Sequence, residues 1–62
     1  MKVREMVKRI EADGWRMLPR KGTSHRQYVH PTKTGRVTVN GEPGDDLTKF
    51  MENSVLRQAG LK

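Results

Sequence analysis

One histidine of this 62-residue chain stands among cationic residues at the start of a predicted strand. His25 follows the run Arg20-Lys21-Gly22-Thr23-Ser24 and precedes Arg26. An imidazole has an unperturbed pKa of about 6.5, so it can accept or donate a proton near neutral pH. RNA offers a substrate for such a group, because its 2′-hydroxyl attacks the adjacent phosphate once a base removes the hydroxyl proton. Lysine and arginine side chains can hold that phosphate and stabilise its developing charge.

The residues alone leave two interpretations of His25 open. The imidazole is either a general acid or base, or a surface group that hydrogen-bonds a phosphate. If it is catalytic, the proton for the leaving oxygen comes from Lys21, Arg26 or water. The second histidine, His30, is predicted to be structural, because Pro31 places it at the end of a strand.

Other site chemistries have little support. The chain contains no cysteine, which excludes disulfides and thiolate metal sites and favours the reducing cytoplasm. The metalloprotease, EF-hand and Walker spacings are absent, so we predict no metal and no cofactor. Ser24 and His25 are neighbours in or beside a strand and point to opposite faces, which argues against a serine nucleophile paired with this imidazole.

The positive charge is concentrated in the middle of the chain. The formal net charge is +6, and no acidic residue occurs in the 28 residues from 14 to 41. Basic patches of this kind are typical of proteins that bind large anions. Nucleic acid is the first candidate partner, an acidic protein the second and a membrane surface the third. The alternative is a solvated basic surface that serves only solubility. The candidate RNA contacts are Arg20, Lys21, Gly22, Thr23, Ser24, Arg26, Lys33 and Arg36.

The apolar pattern predicts that a helix, three strands and a second helix position these residues. Val3, Met6, Val7 and Ile10 form one helical stripe within segment 2–13, and Trp15 is expected to fold over it. Alternation and turn residues predict strands over 15–19, 25–30 and 36–39. No apolar run is long enough to span a membrane, and the N-terminus lacks the apolar region of a signal peptide.

The second helix is predicted to begin at an acidic pair and end at Gly60. Asp45 or Asp46 offers an N-cap, and the apolar positions that follow include Phe50 and Val55. Each helix has one apolar stripe, so both are expected to pack on the same face of the sheet. The prediction is one α+β domain over residues 1–62, with the opposite sheet face open to water or a ligand.

Several short runs together resemble the HicA (YcfA-like) toxins of prokaryotic type II toxin–antitoxin modules. They occur in the family's order and span nearly the whole chain, at residues 13–15, 21–25, 30–31, 35–39 and 56–61. One departure is Arg26, because the family often has histidine at the position after its catalytic histidine.

The resemblance implies a double-stranded-RNA-binding-domain-like fold and a metal-independent ribonuclease that cuts mRNA. It also implies that the histidine of the Gly-x-Ser-His run, here His25, is catalytic. A HicB-type antitoxin protein is the implied partner, and no small-molecule cofactor is implied.

The main alternative is an RNA-binding domain of the same fold without catalytic activity. Such domains resemble one another in a lysine-rich start to the second helix, which binds phosphates. The predicted acidic start at Asp45 and Asp46 argues against that binding mode. A third hypothesis is a protein whose basic face only docks an acidic partner.

Overall fold

The chain folds as a helix, a three-stranded sheet and a second helix, as predicted. In a computed structural model, residues 1–19 and 25–62 are described. The elements in chain order are α1 (Val3–Ala12), β1 (Arg16–Met17), β2 (Arg26–Val29), β3 (Val37–Val39) and α2 (Lys49–Gln58). The sheet is antiparallel in the order β1-β2-β3, which confirms the α+β prediction.

The hydrophobic core lies between the two helices and one face of the sheet. α1 contributes Val3, Met6 and Ile10, and all three are fully buried. Trp15 is also fully buried, as its position after α1 predicts. The members from α2, the sheet and their connections are Tyr28, Val37, Val39, Leu47, Val55, Leu56 and Ala59. Both helices therefore cover the same sheet face. On the opposite face, which we call the open face, the side chains of His25, Gln27 and Arg36 are exposed.

Both helices end in a glycine motif, and the one at Gly60 is predicted from the sequence. Gly14 has φ 111° and Gly60 has φ 72°, which are backbone conformations that favour glycine. After α2, the amide of Leu61 donates to the carbonyl of Leu56 at 2.8 Å, and Leu61 packs on the core. After α1, the amide of Trp15 donates to the carbonyl of Ile10 at 3.2 Å. Both are Schellman motifs, and the motif at the end of α1 turns Trp15 toward the core.

The prediction for the start of α2 was wrong. The N-cap is Thr48, whose hydroxyl accepts from the amide of Met51 at 3.1 Å. Asp45 instead accepts from the amide of Glu42 at 3.0 Å, which closes a turn. Asp46 pairs with Lys2 at 3.1 Å and joins the chain to the start of α1. The acidic pair therefore serves a turn and an ion pair, and α2 begins with Thr48 and Lys49.

A second correction concerns Phe50, which the helical pattern placed on the apolar face of the second helix. Its side chain is 77% exposed. The residues of α2 that are buried in the core are Val55 and Leu56, and Met51 packs against the core partly buried. Phe50 lies in the first turn and points to solvent.

Lys33 joins the C-terminal ends of the two helices. Its ammonium donates to the Asp13 carboxylate at 2.5 Å and to the carbonyl of Ala59 at 3.1 Å. Asp13 and Ala59 are the C-caps of α1 and α2. A cation at a helix C-terminus interacts favourably with the helix dipole, and Lys33 has this position at both helices.

His30 connects the end of α1 to the loop that carries Lys33, which agrees with the structural role predicted for it. Its Nε2 donates to the carbonyl of Asp13 at 2.7 Å, and its Nδ1 accepts from the amides of Thr32 and Lys33 at 3.1 and 3.2 Å. The ring also packs edge-on against Trp15, with centroids 5.2 Å apart. A Cβ at Gly14 would lie 2.7 Å from this imidazole, so the close approach requires glycine.

We expect the Asp13–Lys33 pair to make stability fall in acid. The hydrogen bond from Lys33 lowers the pKa of Asp13 below its ordinary value of 3.8. Because the folded-state pKa is the lower one, the contribution is complete above the unfolded pKa and is lost as the pH falls through the folded pKa. Urea unfolding midpoints measured from pH 6 down to about pH 2 should show this decline.

Two variants test this assignment. Asp13→Asn and Lys33→Met should each lower the midpoint at neutral pH and weaken its decline in acid. Part of the decline should remain, because the pKa of Glu52 is also lowered, first by its hydrogen bond from the Met1 amino group. A decline as steep in Asp13→Asn as in the parent contradicts the assignment.

Candidate active site on the open sheet face

The imidazole of His25 lies at the start of β2 and is exposed to solvent. In β2 the side chains of Arg26 and Tyr28 are buried on the helix-bearing side. Side chains alternate along a strand, so His25 and Gln27 belong to the opposite, open face. An imidazole used in proton transfer to RNA needs this accessibility.

Asn40 holds the imidazole from the end of β3. The register pairs Arg26 with Val39, which places Asn40 opposite His25. The Nδ1 atom of His25 makes a hydrogen bond with the Oδ1 atom of Asn40. An amide oxygen only accepts, so Nδ1 carries the proton and Nε2 has the lone pair in the neutral ring. This is the tautomer that a general base acting through Nε2 requires.

The same face carries one of the predicted cationic contacts. Arg36 is exposed, and its guanidinium donates to the side-chain oxygen of Gln27 at 3.1 Å. Gln27 pairs with Thr38 in the sheet register, so this polar row continues from His25 and Asn40 across β2 and β3. The row offers hydrogen-bond donors and acceptors along a surface that the helices do not cover.

The other predicted contacts have different positions. Arg20, Lys21, Gly22, Thr23 and Ser24 lie outside the described residues. Arg26 is 9% exposed on the helix-bearing side, and therefore does not join His25. Lys33 follows the far end of β2 and contacts Asp13 and Ala59. Among the described candidates, only His25 and Arg36 are placed on the same open face.

Asn40 was missed in the sequence, where no chemistry was assigned to it. A usable signal was present in the predicted hairpin. The run His30-Pro31-Thr32-Lys33-Thr34-Gly35 has the composition of a turn, and antiparallel pairing about its centre, between positions 32 and 33, sets position 25 opposite position 40. The observed register follows this symmetry.

Across residues 1–19 and 25–62, no three histidine, aspartate or glutamate side chains are grouped as metal ligands. The same ranges contain no helix whose length and hydrophobicity suit a membrane span.

A comparison with protein families connects this fold and site to a known class. The family model described as HicA toxin of bacterial toxin-antitoxin matches residues 3–61. A search of curated proteins finds no match. The match covers nearly the whole chain, and it confirms the resemblance carried by the short sequence runs.

The chain belongs to the HicA toxin family. It is therefore the toxin component of a toxin–antitoxin system, and an antitoxin is its partner.

Proposed function

We propose that this toxin is an endoribonuclease that cuts mRNA, with His25 as the proton-transfer group. The observation that carries the proposal is the exposed imidazole of His25 on the open sheet face, held at Nδ1 by Asn40. Membership of a toxin family supports a destructive activity, and the basic middle of the chain suits a polyanionic substrate.

The proposed reaction uses the ribose next to the scissile phosphate. Nε2 of His25 removes the proton of the 2′-hydroxyl, and the resulting oxygen attacks phosphorus. The bond from phosphorus to the 5′-oxygen breaks, and this oxygen takes a proton as it leaves. The products are a 2′,3′-cyclic phosphate and a 5′-hydroxyl. Imidazole and cationic groups are sufficient for this route.

The position of Arg26 argues against it as the donor of the leaving-group proton. Its side chain lies on the helix-bearing side, away from the face of His25. Lys21 and water are the remaining candidates. Arg36 fits the binding role, because it is an exposed cation on the same face as His25.

An RNA-cleavage assay in excess EDTA tests the reaction class. We expect cleavage of single-stranded RNA at an unchanged rate, and 5′-hydroxyl products that polynucleotide kinase can label directly. Loss of cleavage in EDTA, with recovery on adding Mg²⁺ but not on adding a monovalent salt, would contradict the metal-independent route.

We expect Asn40 to act as a positioning residue for His25. In Asn40→Ala the imidazole loses its Nδ1 acceptor, so the Nε2–H tautomer gains population and kcat falls, by about tenfold for a hydrogen bond worth roughly 1.4 kcal/mol. The ¹⁵N shifts of the His25 ring in the neutral form should report this exchange of tautomers.

A conservative variant separates positioning from general stability. Asn40→Asp keeps an acceptor oxygen at the same place and should restore the Nδ1–H tautomer, whereas Asn40→Ala should not. Ring ¹⁵N shifts that are identical in the parent and in Asn40→Ala would rule out the positioning role.

RNA binding without catalysis is the second candidate function. The acidic start predicted for the second helix was the argument against it, and α2 begins instead with Thr48 and the exposed Lys49. A cation in this first turn suits phosphate contacts better than an aspartate pair does. Tight, length-dependent binding of duplex RNA without any cleavage would favour this function.

A further inference from the structure

A groove between α1 and the helix-bearing face of the sheet contains the buried side chain of Arg26. Its volume is about 240 Å³, which is room for a few side-chain groups. The groove is lined from α1 by Arg4, Val7 and Glu11 and from the sheet by Met17, Arg26 and Tyr28. We call it the Arg26 groove. It lies on the other side of β2 from His25 and is separate from the candidate active site.

The guanidinium of Arg26 lacks a counter-ion in the part of the chain that the structure describes. Arg26 is 9% exposed and pairs with Val39 through the sheet backbone, but its side chain makes no hydrogen bond or ion pair with residues 1–19 or 25–62. An arginine stays charged at all accessible pH values and carries five N–H donors. Among the described residues, Nε1 of Trp15 is the buried side-chain nitrogen without a partner, so the guanidinium of Arg26 still reaches the solvent of the groove. Its donors are therefore available to an anion supplied from outside.

We propose that the Arg26 groove binds an acidic side chain of the antitoxin, whose apolar neighbours pack on Val7 and Met17. A carboxylate can accept two parallel hydrogen bonds from one guanidinium. Arg4, exposed at the groove edge, adds a second positive charge. The net charge of +6 further favours an acidic partner.

The composition of the groove favours a polypeptide over RNA. Val7, Met17 and Tyr28 present apolar surface, which suits an aliphatic or aromatic side chain next to the carboxylate. Glu11 places a negative charge on the lining, which repels a chain of phosphates more than it repels one carboxylate. The open face carries His25, Gln27 and the exposed cation Arg36 instead, and it is the surface proposed for RNA.

This proposal separates two faces of the toxin. An antitoxin segment anchored in the Arg26 groove lies on the helix-bearing side, while His25 lies on the open side. The inference rests on the toxin–antitoxin family membership and not on ribonuclease activity. Its readouts are binding measurements, so a failure of the catalytic proposal leaves them interpretable.

Affinity for the antitoxin provides the first test. We expect Arg26→Met to weaken the complex roughly 30-fold or more, as expected for loss of one partner of a buried charge pair. The matched control is Arg57→Met, which removes the same charge from an exposed position on α2 and should change the affinity little. Glu11→Gln removes the repulsive charge and should tighten the complex.

Thermal unfolding of the free toxin gives a second readout. Methionine has similar length and no charge to desolvate, so Arg26→Met should unfold cooperatively at the parental temperature or above it. If Arg26→Met unfolds at a higher temperature than the parent and also binds the antitoxin more weakly, Arg26 contributes to antitoxin binding and not to the stability of the free toxin.

A titration of the parent protein keeps the proposal testable if the variant does not fold. The probes are the capped peptides acetyl-Ala-Leu-Glu-Leu-Ala-amide and acetyl-Ala-Leu-Gln-Leu-Ala-amide and a ten-nucleotide RNA. The glutamate peptide should shift the Nε–H resonance of Arg26, and the glutamine peptide should not. Equal shifts from both peptides, no shift from either, or a shift from the RNA alone would overturn the proposal. Parental antitoxin affinity in Arg26→Met together with lost RNA binding would assign the groove to RNA.

Discussion

Replacing His25 with alanine should reduce RNA cleavage by about 10²- to 10⁴-fold, the usual contribution of a positioned acid–base group. The side chain is exposed on the open sheet face and lies outside the buried core, so its removal should leave the fold intact. RNA affinity should remain largely unchanged, because phosphate contacts come from the cationic groups. The loss should therefore appear in kcat and not in KM.

Single-turnover cleavage of a labelled RNA, with binding measured separately, distinguishes the two effects. Thr34→Ala is a suitable control, since Thr34 is an exposed loop residue away from the start of β2, and this variant should cut at the parental rate. If His25→Ala cuts RNA as fast as the parent, His25 is not the proton-transfer group. A variant that loses binding and cleavage together would instead support the simpler role of a phosphate contact.

The helix ends could be predicted because their signals are local. Gly14 and Gly60 need positive φ, and the residues after them, Trp15 and Leu61, have apolar side chains that turn back to the core. The strands were predicted too long at their ends. For β1 the reason is that Trp15 is drawn into the core and Pro19 cannot donate to a ladder.

The start of α2 could not be predicted from the helix dipole alone. An acidic pair is favourable at a helix N-terminus, but it is also common in turns and ion pairs. Asp46 pairs with Lys2, which is 44 residues away in sequence, and this contact cannot be inferred from the local sequence. Phe50 is exposed for a different reason, because it lies five residues before Val55 and hence roughly 140° from it around the helix.

The sequence was sufficient to select the central residue of the candidate site, but not to predict which residues surround it. Residue type and neighbouring charge were enough to select His25. Its partner Asn40 depends on the hairpin register, and the burial of Arg26 depends on which sheet face the helices cover. Lys33 was assigned to RNA from its charge, whereas its two contacts with the helix ends arise only when both helices are in place.

Replacing Trp15 with alanine should strongly lower the free energy of unfolding. The indole is fully buried, joins the core at the end of α1 and packs edge-on against His30. Truncating a buried tryptophan costs about 3–5 kcal/mol. A chain of this length has a total stability of roughly 3–9 kcal/mol at the usual values per residue. The expected loss is therefore a large part of the whole.

Phe50→Ser provides the matched control, because it removes an aromatic ring that is already 77% exposed. The free energy of unfolding in this variant should stay within about 0.5 kcal/mol of the parent. Trp15→Phe should be intermediate, since it keeps an aromatic ring against His30. Urea unfolding followed by far-UV circular dichroism measures all three without relying on tryptophan fluorescence. Equal losses in Trp15→Ala and Phe50→Ser would show that the core assignment is wrong and that Phe50, too, is buried when the toxin is free in solution.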